Sequence, residues 1–379
     1  IDISAANGID AAKEAFIYFS ASQRETTDWA EAGYVVAEEK LQIKSAQLPK
    51  LDIASLGEGG KVDVEESSQG ITVSSPCFKA VFNKAQGTLV QYIYNNVEMV
   101  NKPLQLNVFR LPTDNDGRHN ESWDNLGLRK LTAKGTASSV KASEDGSYVS
   151  ITLNSTCAGK SGTTFDVQHD FIVGANGTVL VSSFVKPSCQ SAIIPRLGFR
   201  FEMPADMEQL TWFGRGPWDS YRDRKEACLP AIYESTVTNQ YEEYILPQEH
   251  GTKQEVRWIA LQNGEGNGLL IASQDNMAAS AVHFRPEDNY TDRNNRMRHT
   301  YQFKPCANTI VSLDAATRGL GNASCGPDVM EKYELKAANT SFRFVLIPVS
   351  QSTDKAKAAR VTMPVCQSVN CSRTTNGRI

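Results

Sequence analysis

The stretch "FDVQHDFIVGANGTVLVSSFVK", residues 165–186, holds two runs of alternating apolar and polar side chains, 165–173 and 177–186. Gly174, Asn176 and Gly177 separate them. A period of two, bounded by turn residues, is the signature of a half-buried strand. The same reading extends to 14–22, 33–45, 70–75, 78–83, 87–96, 148–156, 195–204, 255–263, 268–274 and 341–349. Helical periodicity is scarce. The chain is therefore expected to be all-β, built from many short strands packed as sandwiches.

The 379 residues suit two or three domains, and 40% hydrophobic content is enough for a real core. A boundary is expected across "AQLPKLDIASLGEGGK" (46–61), whose Pro, Gly and small residues suit a linker. The first 46 residues carry too few strands for a closed sandwich. They look like the C-terminal part of an immunoglobulin-like domain. Residues 47–61 are then the linker, 62–350 one large β unit, and 351–379 a polar tail expected to be loose and tied at most by Cys366 and Cys371.

With a net charge of −4 and Arg scattered among Asp and Glu, no nucleic-acid surface is expected. No apolar run approaches the ~18 residues of a membrane-spanning helix. The chain opens on "IDISAANGID", without an initiator Met or a signal peptide, and is expected to have been processed or cut from something longer. Seven Asn-x-Ser/Thr triplets, at Asn120, Asn154, Asn176, Asn289, Asn322, Asn339 and Asn370, lean towards an extracellular or periplasmic protein, with the cytoplasm as alternative. Eight cysteines are present without a C-x-x-C pair, which excludes a zinc ribbon or thioredoxin motif.

Chemistry is sought first in "TWFGRGPWDSYRDRK" (211–225). Gly214, Gly216 and Pro217 are expected to break any regular element, leaving a polar and aromatic loop after a buried strand end at Trp212 and Phe213. Trp and Tyr stack on the C–H face of a sugar ring, and Asp or Arg binds its hydroxyls. The structural alternative is a turn held by an Asp223–Arg224 ion pair. No G-x-S-x-G, Walker loop or H-x-x-x-H spacing occurs. "DNDG" (114–117) fails as an EF-hand because Pro112 and Trp123 fall at the ligand positions. Glycoside hydrolysis requires two carboxyls at a set separation. Asp114, Asp116, Asp219, Asp223, Glu249 and Asp288 are candidates that sequence alone cannot pair.

Five stretches, in register, resemble the C-terminal third of the β-galactosidases of glycoside hydrolase family 2. They are "TTDWAEAGYVVAEEKLQI" (26–43), "LNVFRLPTDNDG" (106–117), "WFGRGPWDSYRDR" (212–224), "YILPQEHGTKQEVRW" (244–258) and "ATRGLGNASCGPDVMEKYEL" (316–335). The resemblance implies the end of that family's fourth domain followed by its galactose-mutarotase-like β-supersandwich. The family's catalytic glutamates lie on a TIM barrel for which this chain has no pattern, so no catalytic residue is expected here. The chain alone should be inactive. By resemblance, Gly216, Trp218, Asp219, Ser220, Tyr221 and Cys325 border the sugar site, with Gly216 as a loop hinge. Asp219 and Ser220 replace the family's Glu and Asn, and Cys325 stands where some members carry a stacking Trp. No cofactor is implied in this chain, although family enzymes often use Mg and Na on the barrel. The implied partners are a galactoside or other carbohydrate, the remainder of the parent enzyme, and further copies in a homo-oligomer. Two other readings remain: a free-standing carbohydrate-binding module, and an aldose epimerase. The latter needs a His and a Glu in one groove, and the adjacent Glu249 and His250 should face apart.

Overall fold

The computed structural model describes residues 8–47, 53–58, 60–290 and 299–360. Nineteen strands are found among these residues. They are β1 (Ala15–Ser22), β2 (Val35–Lys44), β3 (Asp63–Glu66), β4 (Gly70–Ser75), β5 (Phe78–Asn83), β6 (Thr88–Tyr94), β7 (Val97–Val100), β8 (Lys102–Asn107), β9 (Thr132–Ala142), β10 (Tyr148–Ala158), β11 (Thr164–Gly174), β12 (Val179–Pro187), β13 (Arg196–Met203), β14 (Gln209–Gly216), β15 (Leu229–Thr236), β16 (Lys253–Gln262), β17 (Gly268–Val282), β18 (Thr309–Thr317) and β19 (Thr340–Val349). Helix is confined to short pieces such as α1 (Asn120–Leu126). The fold is all-β.

Alternation sets the layers. In β10 every second residue is buried, from Val149 to Cys157, and the opposite face is half covered. β13 is buried at every position and β11 at seven of its eleven, because both faces of the curled sheet are packed there. One path of strands runs β15-β14-β16-β17-β19-β12-β11-β10-β9, while β13 pairs with β8 and β18. β17 joins the two parts. Its first half, Gly268–Ser273, lies along β19, and its second half, Ala278–Val282, along β18. A strand that changes neighbours midway bends the sheet over its own core. A second sheet, β3 to β7, closes the core from the other side with Ile71, Val73, Phe82 and Tyr92. Trp123 and Trp212 are also buried in this core, and full burial of such large side chains is worth about 2–3 kcal/mol or more each.

Several expectations need correction. The glycines of 211–225 do not end the strand: β14 runs through both Gly214 and Gly216. The backbone of β16 approaches so closely that a Cβ at Gly214 would lie 3.0 Å from Val256 Cα. At Gly216 a Cβ would lie 2.7 Å from the Tyr233 ring. Glycine here permits packing rather than a break. The second half of the expected linker is docked: Leu56, on the 3-10 turn Ile53–Gly57, is buried beside Leu180 and Trp258, and Asn176 holds the Leu56 carbonyl. At the other end, a helical turn at Lys355–Ala358 packs Ala359 onto the same cluster. Cys366 and Cys371 lie outside the described residues, and the six described cysteines are free thiols. Asn120 and Asn289 are buried, so their triplets offer no glycan attachment in the folded chain.

Among the first 47 residues, β1 and β2 form a two-stranded hairpin. Tyr18, Trp29, Tyr34, Val36 and Leu41 stand exposed on this segment. It touches the large unit through a forked Arg257–Glu14 ion pair at 2.9–3.0 Å and through Lys40 Nζ donating to the Pro230 carbonyl.

Candidate functional site

Four of the five stretches singled out in the sequence meet at one end of the large unit. The joint is a buried ion cage. Arg110, on the segment following β8, directs Nε and NH2 at the two oxygens of Asp116 (3.0 and 2.7 Å). It also donates to the carbonyls of Arg318 and Gly319, more than 200 residues away. Arg318, fully buried just past β18, donates to Asp116, Asp328 and Glu334 and to His119 Nε2. Asp116 is itself inaccessible to solvent. A buried carboxylate survives because two guanidinium groups and the Thr113 N–H and hydroxyl satisfy it. Arg318 and its hydrogen bonds hold Asp328 well below the usual carboxylate range, and burial acts against them.

His119, Asp328 and Glu334 bring ligand-type atoms within 4.8 Å of one another. The Arg318 guanidinium, however, is hydrogen-bonded to all three. A cation already fills the place a metal would take, so the cluster is a guanidinium cage.

The loop after β14 is fastened to this cage. Asp223 accepts from the backbone N–H of Leu320 (2.9 Å) and Gly321 (2.8 Å), and Arg222 donates to the Lys332 carbonyl. The expected Asp223–Arg224 pair does not form. Arg224 instead binds Asp219 at 2.6 Å and lies over the Tyr221 ring. Asp223 faces backbone donors in the neighbouring segment, which a carboxylate accepts as readily as a guanidinium. Asn115 ties the same segment from the other side, donating to the Gly321 carbonyl and accepting from Ser324 N–H.

The six expected rim residues divide sharply. Trp218 is 62% exposed and Cys325 is exposed. Gly216, Asp219, Ser220 and Tyr221 are buried. Ser220 Oγ accepts from Gln254 N–H, and its own N–H donates to the Thr252 carbonyl. Tyr221 is 1% exposed, and burial pushes its phenol well above the usual range. Ser220 and Tyr221 therefore anchor the loop rather than touch a ligand. Asp219 is spent on Arg224, with Tyr244 Oη at 3.4 Å.

Lys253, missed in the sequence, supports the corner at Pro217. It is 3% exposed, donates to the Pro217 carbonyl at 3.0 Å and sits 5.2 Å over the Trp212 ring. Burial lowers its ammonium to about 8, with Asp219 opposing the shift. Arg110, Asp116 and Arg318 were also missed as a unit. The one signal present was an unusual density of charge inside apolar motif segments.

Of the remaining candidate carboxyls, Asp114 is exposed. Glu249 accepts from Thr252 Oγ1 and faces Arg196 at 3.5 Å, while Asp288 lies on the surface near Arg285. His250 turns into a cluster of Tyr241, Phe284 and Phe303. Glu249 and His250 thus have separate surroundings, against a shared epimerase groove.

The family model described as beta galactosidase small chain matches residues 74–346. A β-galactosidase of Priestia megaterium is 30% identical over 269 residues, covering 69% of this chain and 25% of the relative. One from Kluyveromyces lactis is 26% identical over 330 residues, covering 83% of this chain and 31% of the relative. The chain thus spans between a quarter and a third of the length of these relatives. Among solved structures, a galactose 1-epimerase from Lactobacillus acidophilus overlaps 76% of this chain and 99% of its own, with TM-score 0.39 and 8% identity. That likeness is too low to carry over an epimerase site. By its sequence match across most of the large unit, the chain belongs to the β-galactosidase small-chain family.

Proposed function

We propose that this chain is the C-terminal part of a family 2 β-galactosidase and forms one rim of a site that hydrolyses terminal β-galactosides with retention. The observation that carries this is the convergence of four motif segments on one end of the sheet, with Trp218 left exposed above a buried, hydrogen-bonded foundation. An exposed indole on a rigid support suits stacking against the sugar beyond the galactose, a role Cys325 cannot fill. The acid and the nucleophile belong to a barrel elsewhere in the enzyme, as does the remaining wall of the site. Each such group contributes orders of magnitude in rate. The purified chain should therefore show no turnover of a nitrophenyl β-galactoside. Turnover should appear only when the chain is joined to a barrel-bearing partner. There, Trp218→Ala should raise KM for lactose by about threefold to tenfold, the scale of one lost stacking contact, and change KM for a nitrophenyl galactoside less. Turnover by the chain alone would overturn the proposal.

A further inference from the structure

A cavity of about 690 Å³ lies apart from the rim residues. Its walls come from β8, the ends of β9 and β10, β11, β13 and the Arg285–Asp288 turn. None of the six rim residues lines it. The volume falls within the ~300–1,000 Å³ of small-molecule sites.

The chemistry of the walls narrows the occupant. Arg200 forks onto Glu287 (3.0 and 2.7 Å), and Arg285 forks onto Glu202 (2.6 and 2.5 Å). The principal charges are thus cancelled in pairs. Four basic and three acidic side chains line the cavity in all, an excess of one positive charge carried by Arg129, which lies over the Tyr290 ring, and the exposed Lys130. Neutral hydrogen-bonding groups remain: Gln86, Gln105, Asn107 and His169. His169 is 2% exposed and engages Ser183 Oγ through Nδ1 at 2.7 Å, while no group among the described residues bonds its Nε2. Burial lowers its imidazole to about 4, so the ring is neutral near pH 7, with one donor and one acceptor nitrogen. A hydroxyl, which also donates and accepts, is the matching ligand group. Leu104, Leu106, Val108 and Val167 supply apolar wall for the C–H face of a ring.

We infer that this cavity is a second carbohydrate site, separate from the rim, which takes a neutral mono- or disaccharide. It stands whether or not the rim serves a galactosidase, because it shares no residue with it. Binding should be in the millimolar range, since planar amides and paired guanidinium groups offer hydrogen bonds without a large aromatic platform. The test is a titration of the full chain with lactose, followed by ligand-observed NMR, with inorganic phosphate as the charged probe. Gln105→Trp fills the mouth from an exposed strand position, and His169→Asn removes the buried partner. Each folded variant should weaken lactose at least about tenfold, whereas Ile232→Ala, at an exposed position on β15 outside both sites, should leave it unchanged. Should His169→Asn fail to fold, Gln105→Trp decides alone. No lactose binding, binding indifferent to Gln105→Trp, loss of binding in Ile232→Ala, or phosphate competing more strongly than lactose would each overturn the inference.

Discussion

Two antiparallel strand pairs of this chain look alike as sequence and differ as structure. β11 and β12 alternate, and so do β1 and β2. In β11–β12 most side chains are buried, with Phe171 at 1% exposure and its ring 4.9 Å from that of Phe82. In β1–β2 only Ala15 is buried, and Phe19 and Val36 stand in the open. Alternation states that one face of a strand is apolar. It does not state what covers that face. In the large unit the cover comes from the β3–β7 sheet, whereas on the hairpin no described residue buries it.

The most direct way to break this comparison is to truncate one aromatic on each pair. Phe171→Ala should cost about 3–5 kcal/mol in denaturant unfolding, from lost transfer energy and the cavity left behind. Phe19→Ala should change stability by no more than about 0.5 kcal/mol. Equal losses would mean that the hairpin packs on something in solution. A loss of similar size to the first is expected from Asp116→Asn. Removing the carboxylate charge leaves Arg110 buried without its ionic partner, at about 3–5 kcal/mol. The corresponding change at the hairpin contact, Glu14→Gln, should cost about 1 kcal/mol, because that pair is closer to solvent.

The buried region should also respond to acid where the hairpin does not. His169 stays neutral in the folded chain down to about pH 4, while the unfolded chain takes up a proton below 6.5. The resulting stability is intact above pH 6.5 and lost as the pH falls from 6.5 to 4. At 1.36 kcal/mol per pH unit the loss is about 3 kcal/mol. His169→Gln should flatten this part of the curve, measured as unfolding midpoint against pH. Deleting residues 1–47 removes the Glu14 and Lys40 contacts together, so it should cost about 1 kcal/mol, as Glu14→Gln does, and leave a single cooperative transition for the remainder. The same deletion should lower self-association in sedimentation, since it removes exposed apolar residues and open strand edges.

Much of the fold was legible in the sequence because its strands follow local rules. β4 and β5 fall on 70–75 and 78–83, as the alternation places them. β9 escaped because "TAKGTASSVKA" is an edge strand of small and polar residues, largely solvated. β8 escaped because Pro103 interrupts it, and β18 because Asp314 is a buried charge inside an apolar run. The rim was legible only in part. Motif order located Trp218 and Cys325, but chain position could not separate the exposed indole from Tyr221, which anchors the loop three residues on. The Arg110–Asp116–Arg318 cage was not legible, because its partners are some 200 residues apart and only the closed sheet brings them together.

The switch of neighbours along β17 also bears on synthesis. β12 is finished at residue 187, yet its partner β19 begins at Thr340. β13 likewise waits for β18, which ends at Thr317. While the ribosome makes the intervening chain, β12 presents Val179–Val185 as an unpaired edge and the sheet cannot close. Long-range antiparallel pairing of this kind is slow, and its intermediates are sticky. The large unit must therefore complete its core after nearly all of it has left the exit tunnel, so chaperone supply and translation speed govern its yield.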